Sequence, residues 1–423
     1  MMKTFLKMAV VAGLALVYGQ AYAFHSGGVA ECGGCHQMHD AASASFLLVA
    51  TDPSSTCLSC HEHAGDTGPS SYHISTASVD LTAIAPPKQR TPGGDFAWLK
   101  RSYADTSIEY NEPGFEHGHN IVATANGYVA DGVHTVAPGG GGVSAATFSC
   151  ISCHDQHSSI RRFADGTYAR NGLPIANSGS YNTSAAPIAG RTAVGVYRIL
   201  RGGGSGVSND GNVTGAVFSN IFTAVAPSTY NRTEASTETR VAYGLTGTTG
   251  TGRWCATCHP GMHHGSSQDH PVDWSINSLS VNYNAYVSSG IMTGTGNTFT
   301  SLVPFQEANA VITGAGSLAA HAKIDGTYMT GPTSNDQVTC MSCHRAHASG
   351  FIHAVRWQLE NEFLTKADSL GNPFFCATDS PVSSGRCALG RLTSEVQAAY
   401  YDRPVAKLGA WQRSLCNKCH AKD

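Results

Sequence analysis

Charge is scarce in this 423-residue chain: Asp, Glu, Lys and Arg make up 13% of it, about half the share of an ordinary globular domain. The basic residues are scattered, and the short Arg161-Arg162 pair reads as a surface feature. Phosphate backbones are held by clustered Lys and Arg, so nucleic acid is excluded as a partner. Long apolar runs are missing too. No stretch reaches the roughly 18 apolar residues that a membrane-spanning helix needs. The apolar segment Met8–Val17 is shorter; it follows Lys3 and Lys7 and precedes Ala21-Tyr22-Ala23, the form of an export signal cut after Ala23. The expected domain plan is therefore a cleaved signal over 1–23 and one body over 24–423. The mature chain begins at Phe24, not at the cysteine required for a lipoprotein anchor. Methionine is short as well: of eight, Met1, Met2 and Met8 leave with the signal. Long periodic segments are few.

Glycine, histidine and cysteine are abundant, at 47, 20 and 14 residues. Twelve of the cysteines fall in six copies of Cys-x-x-Cys-His, at Cys32/Cys35, Cys57/Cys60, Cys150/Cys153, Cys255/Cys258, Cys340/Cys343 and Cys416/Cys419. Each copy reads as an attachment site for a c-type haem: the thiols add across two vinyl groups, and the adjoining His supplies an axial nitrogen to iron. The proximal ligands are then His36, His61, His154, His259, His344 and His420. Zinc sites would need the motifs to pair at short, regular separations. Here the first cysteines lie 25, 93, 105, 85 and 76 residues apart, which suits separate porphyrins.

Six haems on 400 mature residues leave about 67 residues each, too few to wrap every ring in its own hydrophobic core. The expected fold is a multihaem cytochrome c: mostly irregular coil wrapped around a chain of stacked haems, with a few short α-helices and very few β-strands. Helical turns are expected at the motifs, a helix over about Gly350–Ala367 from the spacing of Phe351, Val355, Leu359 and Phe363, and another over about Thr393–Tyr401. The Gly-rich stretches Pro138–Val143, Gly202–Gly206 and Gly244–Gly252 read as loops.

Fourteen histidines remain for six distal positions, and methionine competes poorly, so bis-histidine ligation is expected throughout. Such ligation gives lower potentials than His/Met and closes both faces of the iron. That points to electron transfer instead of catalysis at iron. Three motifs extend to Cys-x-x-Cys-His-x-x-His, adding His39, His157 and His347. Three residues on in a helical turn, these lie about 5–6 Å from their own proximal His on the same side. They cannot reach the far face of that haem, so any iron they bind belongs to another; a polar surface histidine is the alternative. Further distal candidates are His119, His270 and His321, then His25 and His73, then His63 and His263. His117, His134, His264 and His353 read as surface histidines. Cys376 and Cys387 lie outside the motifs and are expected to pair as a disulfide in an oxidising compartment.

Several stretches carry a family resemblance. Phe24–Cys32 (FHSGGVAEC), His63–Thr76 (HAGDTGPSSYHIST), Ala226–Glu234 (APSTYNRTE), Cys343–Phe351 (CHRAHASGF) and Leu415–Asp423 (LCNKCHAKD) resemble the OmcS-type outer-surface hexahaem cytochromes of metal-reducing bacteria. The likeness runs from Phe24 to Asp423 with all six motifs in register. It implies a protomer of an extracellular filament, a continuous stack of bis-His haems, and electron delivery to acceptors such as metal oxides, with other electron-transfer cytochromes as partners. It also implies that His39 crosses the subunit boundary to the haem held by Cys340, Cys343 and His344 in the next protomer. Cys376 and Cys387 depart from the family pattern, as do the four surface histidines. A non-polymerising periplasmic or surface shuttle is the alternative reading. A multihaem reductase would need an open iron, often marked by a Lys in place of a motif His, and no such variant occurs.

Overall fold

The computed structural model describes residues 32–403, 405 and 419 except 44, 70–71, 107–108, 210–211, 228–233, 235–238, 246–249, 264–271, 286–302, 309–311, 313–316, 325–330, 361–364, 377–387 and 404. Irregular coil dominates. Most described helices are one or two turns long, and the strands run two or three residues apart from one hairpin, Ser205–Asn209 with Asn212–Phe218. The hairpin occupies part of a stretch whose glycines suggest a loop. No helix among the described residues is long and apolar enough to cross a membrane.

Helices form at the motifs because the local sequence starts and stops them there. The longest, Pro53–His61, opens with Asp52 accepting from the Ser55 amide at 2.7 Å and with Pro53 at its first position. Cys150–Cys153 and Cys340–Cys343 share another start: the third-residue Ser152 and Ser342 hydroxyls each accept, at 3.0 Å, from the amide of the residue before the helix, Ser149 and Thr339. These helices stop after one turn, since His154 and His344 are already extended at φ −102° and −108°. One turn brings both thiols together; the extended residue swings the imidazole clear of them.

Apolar clusters gather against the motif cysteines instead of forming one separate core. Leu58, Phe96, Ile121 and Tyr128 pack with Cys150, while Phe218, Phe222, Tyr243 and Trp254 pack with Cys153, Cys255 and Cys258. Trp98, Phe351, Tyr283 and Tyr400 pack with Cys343 and Cys419. The helix Thr393–Ala399 lies where its periodicity predicts.

The helix expected over Gly350–Ala367 does not form. Ile352–Ala354 is a single tight turn with His353 and Ala354 at φ +57° and +55°, Val355 bridges His344, and Thr365–Ala367 pairs as a strand with Pro373–Phe375. Phe351 and Val355 are buried, so the apolar spacing reports burial. The backbone between them is taken up in orienting His344, which overrides helical preference. Cys376 is disulfide-bonded; its expected partner Cys387 lies outside the described residues.

Candidate haem sites

The first, third and fifth motifs, which carry the second histidine, are built as one repeated unit. In each, a returning segment bridges the proximal histidine: His36 with Leu48, His154 with Leu200, His344 with Val355. The register is the same throughout. Amides of Val49, Arg201 and Arg356 donate to the carbonyls of Cys35, Cys153 and Cys343, and amides of Gln37, Asp155 and Arg345 donate to Leu47, Ile199 and Ala354. Every return passes through left-handed backbone, at Leu47 (φ +53°), Arg198–Ile199 (+51°, +49°) and His353–Ala354 (+57°, +55°). Non-glycine residues in that region cost about 1–3 kcal/mol each, and the turn earns its place by aiming a carbonyl at the histidine ring.

That carbonyl accepts from Nδ1: Phe46 O from His36 at 2.9 Å, Arg198 O from His154 at 2.8 Å, and His353 O from His344 at 2.7 Å. Tyr72 O does the same for His61 and Pro138 O for His259, both at 2.8 Å. All five described motif histidines therefore carry their proton on Nδ1 and present the Nε2 lone pair outward, the tautomer that an axial ligand requires. These backbone acceptors leave no signal in the sequence.

The rings of His36, His154 and His259 each have another imidazole opposite them. His36 faces His157 with centroids 6.3 Å apart and planes 7° apart; His154 faces His347 at 6.4 Å and 51°; His259 faces His119 at 5.9 Å and 41°. Two imidazole nitrogens about 2 Å either side of a metal ion put ring centroids roughly 6 Å apart, so the spacings fit an iron held from both sides. Desolvation, with the His154 ring next in weight, pushes His347 down to about 3; desolvation and His259 push His119 down to about 4. Both rings are neutral at physiological pH and able to coordinate. Gly118 sets this region, because a Cβ there would lie 2.2 Å from the His347 carbonyl oxygen. Gly118→Ala is expected to push the 347–348 backbone away and disturb both the His347–His154 and His119–His259 spacings. Ferric spectra should then show up to two of the six haems leaving the low-spin state.

The motifs follow one another in space in sequence order. Cys35 neighbours Cys60, and Cys57 neighbours Cys150. Cys153 neighbours Cys258, Cys255 neighbours Cys340, and Tyr283 lies near Cys343 and Cys419. The contacts alternate between second and first cysteines along the series.

The remaining candidates are placed as follows. His39 is exposed beside Met38, itself 82% exposed. His321 Nδ1 lies on Glu307, His263 Nε2 on Asp273, and His73 Nδ1 on Asp66, with His63 facing His73. His25, His270, Cys416 and His420 lie outside the described residues. His117 is not a surface residue. It is fully buried, with Nδ1 on the Trp98 carbonyl and Nε2 on Glu112, so both nitrogens are satisfied without iron.

Beside the fifth motif, Glu234 is surrounded by Arg345, Arg356 and Arg403, all at most 3% exposed. Arg345 Nε and Arg356 Nη2 have no hydrogen-bond partner among the described residues. Three guanidinium groups against one carboxylate leave two positive charges over, the number that one haem's two propionates neutralise. Burying them otherwise costs several kcal/mol each, so this cluster also fits the group.

Motif helices in spatial series, proximal histidines fixed in the coordinating tautomer, and imidazole pairs at iron-bridging distance define a multihaem c-type cytochrome. The chain is 48% identical over 444 aligned residues to the C-type cytochrome OmcS of Geobacter sulfurreducens, covering 100% of this chain and 99% of that one. It belongs to the OmcS family and is a hexahaem c-type cytochrome. Among solved structures it is similar to OmcS nanowires from Geobacter sulfurreducens, determined by cryo-EM (TM-score 0.82, 46% identity). It is similar also to the outer membrane cytochrome S filament of that organism (TM-score 0.84, 47% identity). Each likeness covers 95% of this chain and 100% of the other. No protein-family model matches the chain.

Proposed function

We propose that this protein is the protomer of an extracellular cytochrome filament that conducts respiratory electrons to external acceptors. The haems supply the one-electron chemistry; the polypeptide sets their order, closes their irons and joins one copy to the next. The observation that carries the reading is the repeated unit at motifs one, three and five. The second histidine of the third unit, His157, stands opposite the proximal histidine of the first, and that of the fifth, His347, opposite that of the third. Continued by one step, the rule puts the second histidine of a first unit opposite a fifth. Within one chain His39 belongs to the first unit, so the fifth unit that it serves lies in another copy. The exposure of His39 and of its neighbours Met38, Phe46 and Leu47 supports this.

On this reading the axial pairs are His36/His157, His154/His347 and His259/His119, with His344 completed by His39 of a neighbouring protomer. His321 serves the sixth motif, whose Cys419 shares the surroundings of Tyr283 with Arg240, the ion-pair partner of Glu307. The export signal over 1–23 places the mature body over 24–423 outside the cytoplasm. Metal oxides and other electron-transfer cytochromes are the acceptor and donor classes.

Electron microscopy of the purified holoprotein tests the polymer. Unbranched filaments that dissociate into six-haem protomers are expected; particles that stay monomeric at high concentration would favour the free shuttle.

A further inference from the structure

Six histidines around the motifs donate Nδ1 to a backbone carbonyl: His36, His61, His154, His259, His344 and, through Ala346 O, His119. His73, on Asp66, and His321 depart from the pattern, and His321 alone of the two sits on a carboxylate that also holds an arginine. Its Nδ1 lies 2.6 Å from Glu307 Oε2, a carboxylate oxygen. The other oxygen, Oε1, accepts from Arg240 Nη2 at 2.7 Å. The triad is held in place from three sides. Glu307 ends the strand Gln306–Glu307, paired in parallel with Tyr243–Gly244; His321 closes the one-turn helix Leu318–His321; and Arg240 bridges Lys323. The Glu307 and Arg240 side chains are only 11% and 10% exposed, so water screens the arrangement weakly.

We propose that Glu307 lowers the reduction potential of the haem that His321 ligates, and that Arg240 limits how far. The inference rests on the reading that His321 is the axial ligand at the sixth motif. A neutral carbonyl orients an imidazole without drawing strongly on its proton. A carboxylate makes a charge-assisted hydrogen bond about twice as strong. It pulls the Nδ1 proton toward itself, gives the ring imidazolate character and makes Nε2 a stronger donor to iron. Stronger donation favours the ferric state. Arg240 shares the carboxylate's charge and weakens that pull. The haem that His321 ligates would then be harder to reduce than haems whose axial rings rest on carbonyls, an uphill step for electrons within each protomer.

Spectroelectrochemical titration of the purified holoprotein tests this. Glu307→Gln keeps a hydrogen bond and removes the charge. It should raise one potential of the six, shifting that haem's reduced-to-oxidised ratio at least tenfold at fixed potential, about 59 mV for one electron. Arg240→Met should shift the same haem in the opposite direction. A purely structural role for the triad predicts neither the opposed signs nor a change confined to one ferric EPR signal. His321→Ala separates the two layers: opening one haem in six to the high-spin state supports the ligand reading. If His321→Ala leaves every haem low-spin, the ligand reading fails and this inference with it. If His321→Ala opens a haem while Glu307→Gln and Arg240→Met leave all six potentials in place, the inference alone is overturned.

Discussion

His39→Ala is expected to abolish filaments while leaving each protomer with six covalent haems. His39 has no part in thioether attachment, and in the third and fifth units the corresponding histidine stands opposite another motif's ring. Its loss removes one iron–nitrogen bond at every junction between copies. Each 1.4 kcal/mol lost at an interface is about a tenfold loss in association, and a coordinate bond is worth several such steps. Polymer mass in the micrograph should fall well over tenfold, with one haem per chain turning high-spin. His157→Ala is the companion variant: it should open one haem within the chain yet leave the junction intact. Filaments of normal length from His39→Ala would end the inter-subunit ligation proposal.

The second large effect is expected at Glu234. Burial alone would raise its carboxyl above the ordinary range, but Arg356, Arg345 and Arg403 outweigh burial and hold it below. Glu234→Ala leaves one guanidinium without a counter-charge even when two propionates are present. Breaking a buried ion cluster by removing one partner costs about 3–5 kcal/mol, which should appear as a large drop in the thermal midpoint of the holoprotein. The pH dependence follows from the depressed value. Glu234 contributes stability above the unfolded carboxylate range, near pH 4.3, and this contribution is lost as pH falls through the lower folded value. Acid should therefore destabilise the native protein more steeply than Glu234→Gln. Parallel acid profiles for the two would show that Glu234 is not held ionised by the arginines.

Much of the fold is legible from spacing because covalent attachment ties function to local sequence. A Cys-x-x-Cys-His string has to make a helical turn and then release its histidine, and Ser152 and Ser342 mark where two of those turns begin. His157 and His347 do face rings of other motifs, but helical spacing is not the cause, since His154 and His344 are already extended and no helix runs on to His157 or His347. Which ring each one meets depends on segments returning from 46 residues beyond His154 or 11 beyond His344, and no pairwise pattern announces that. The stretch after Gly350 illustrates the loss. Its apolar period is real, yet His353 and Ala354 turn left-handed so that a carbonyl can reach His344. His117 was hidden for a related reason: Glu112 and the Trp98 carbonyl, which satisfy it, are five and 19 residues away. The arginines around Glu234 come from three separated stretches, and only folding reveals their surplus of charge.

A haem series completed between copies shows itself in the number of closed irons per chain. Ferric EPR or Mössbauer spectra of the wild-type holoprotein should give six low-spin haems per chain when assembled. After gentle dispersal to protomers the count should fall to five, the sixth iron having lost the partner's histidine. Equal counts in both states would mean that no iron is ligated across the junction.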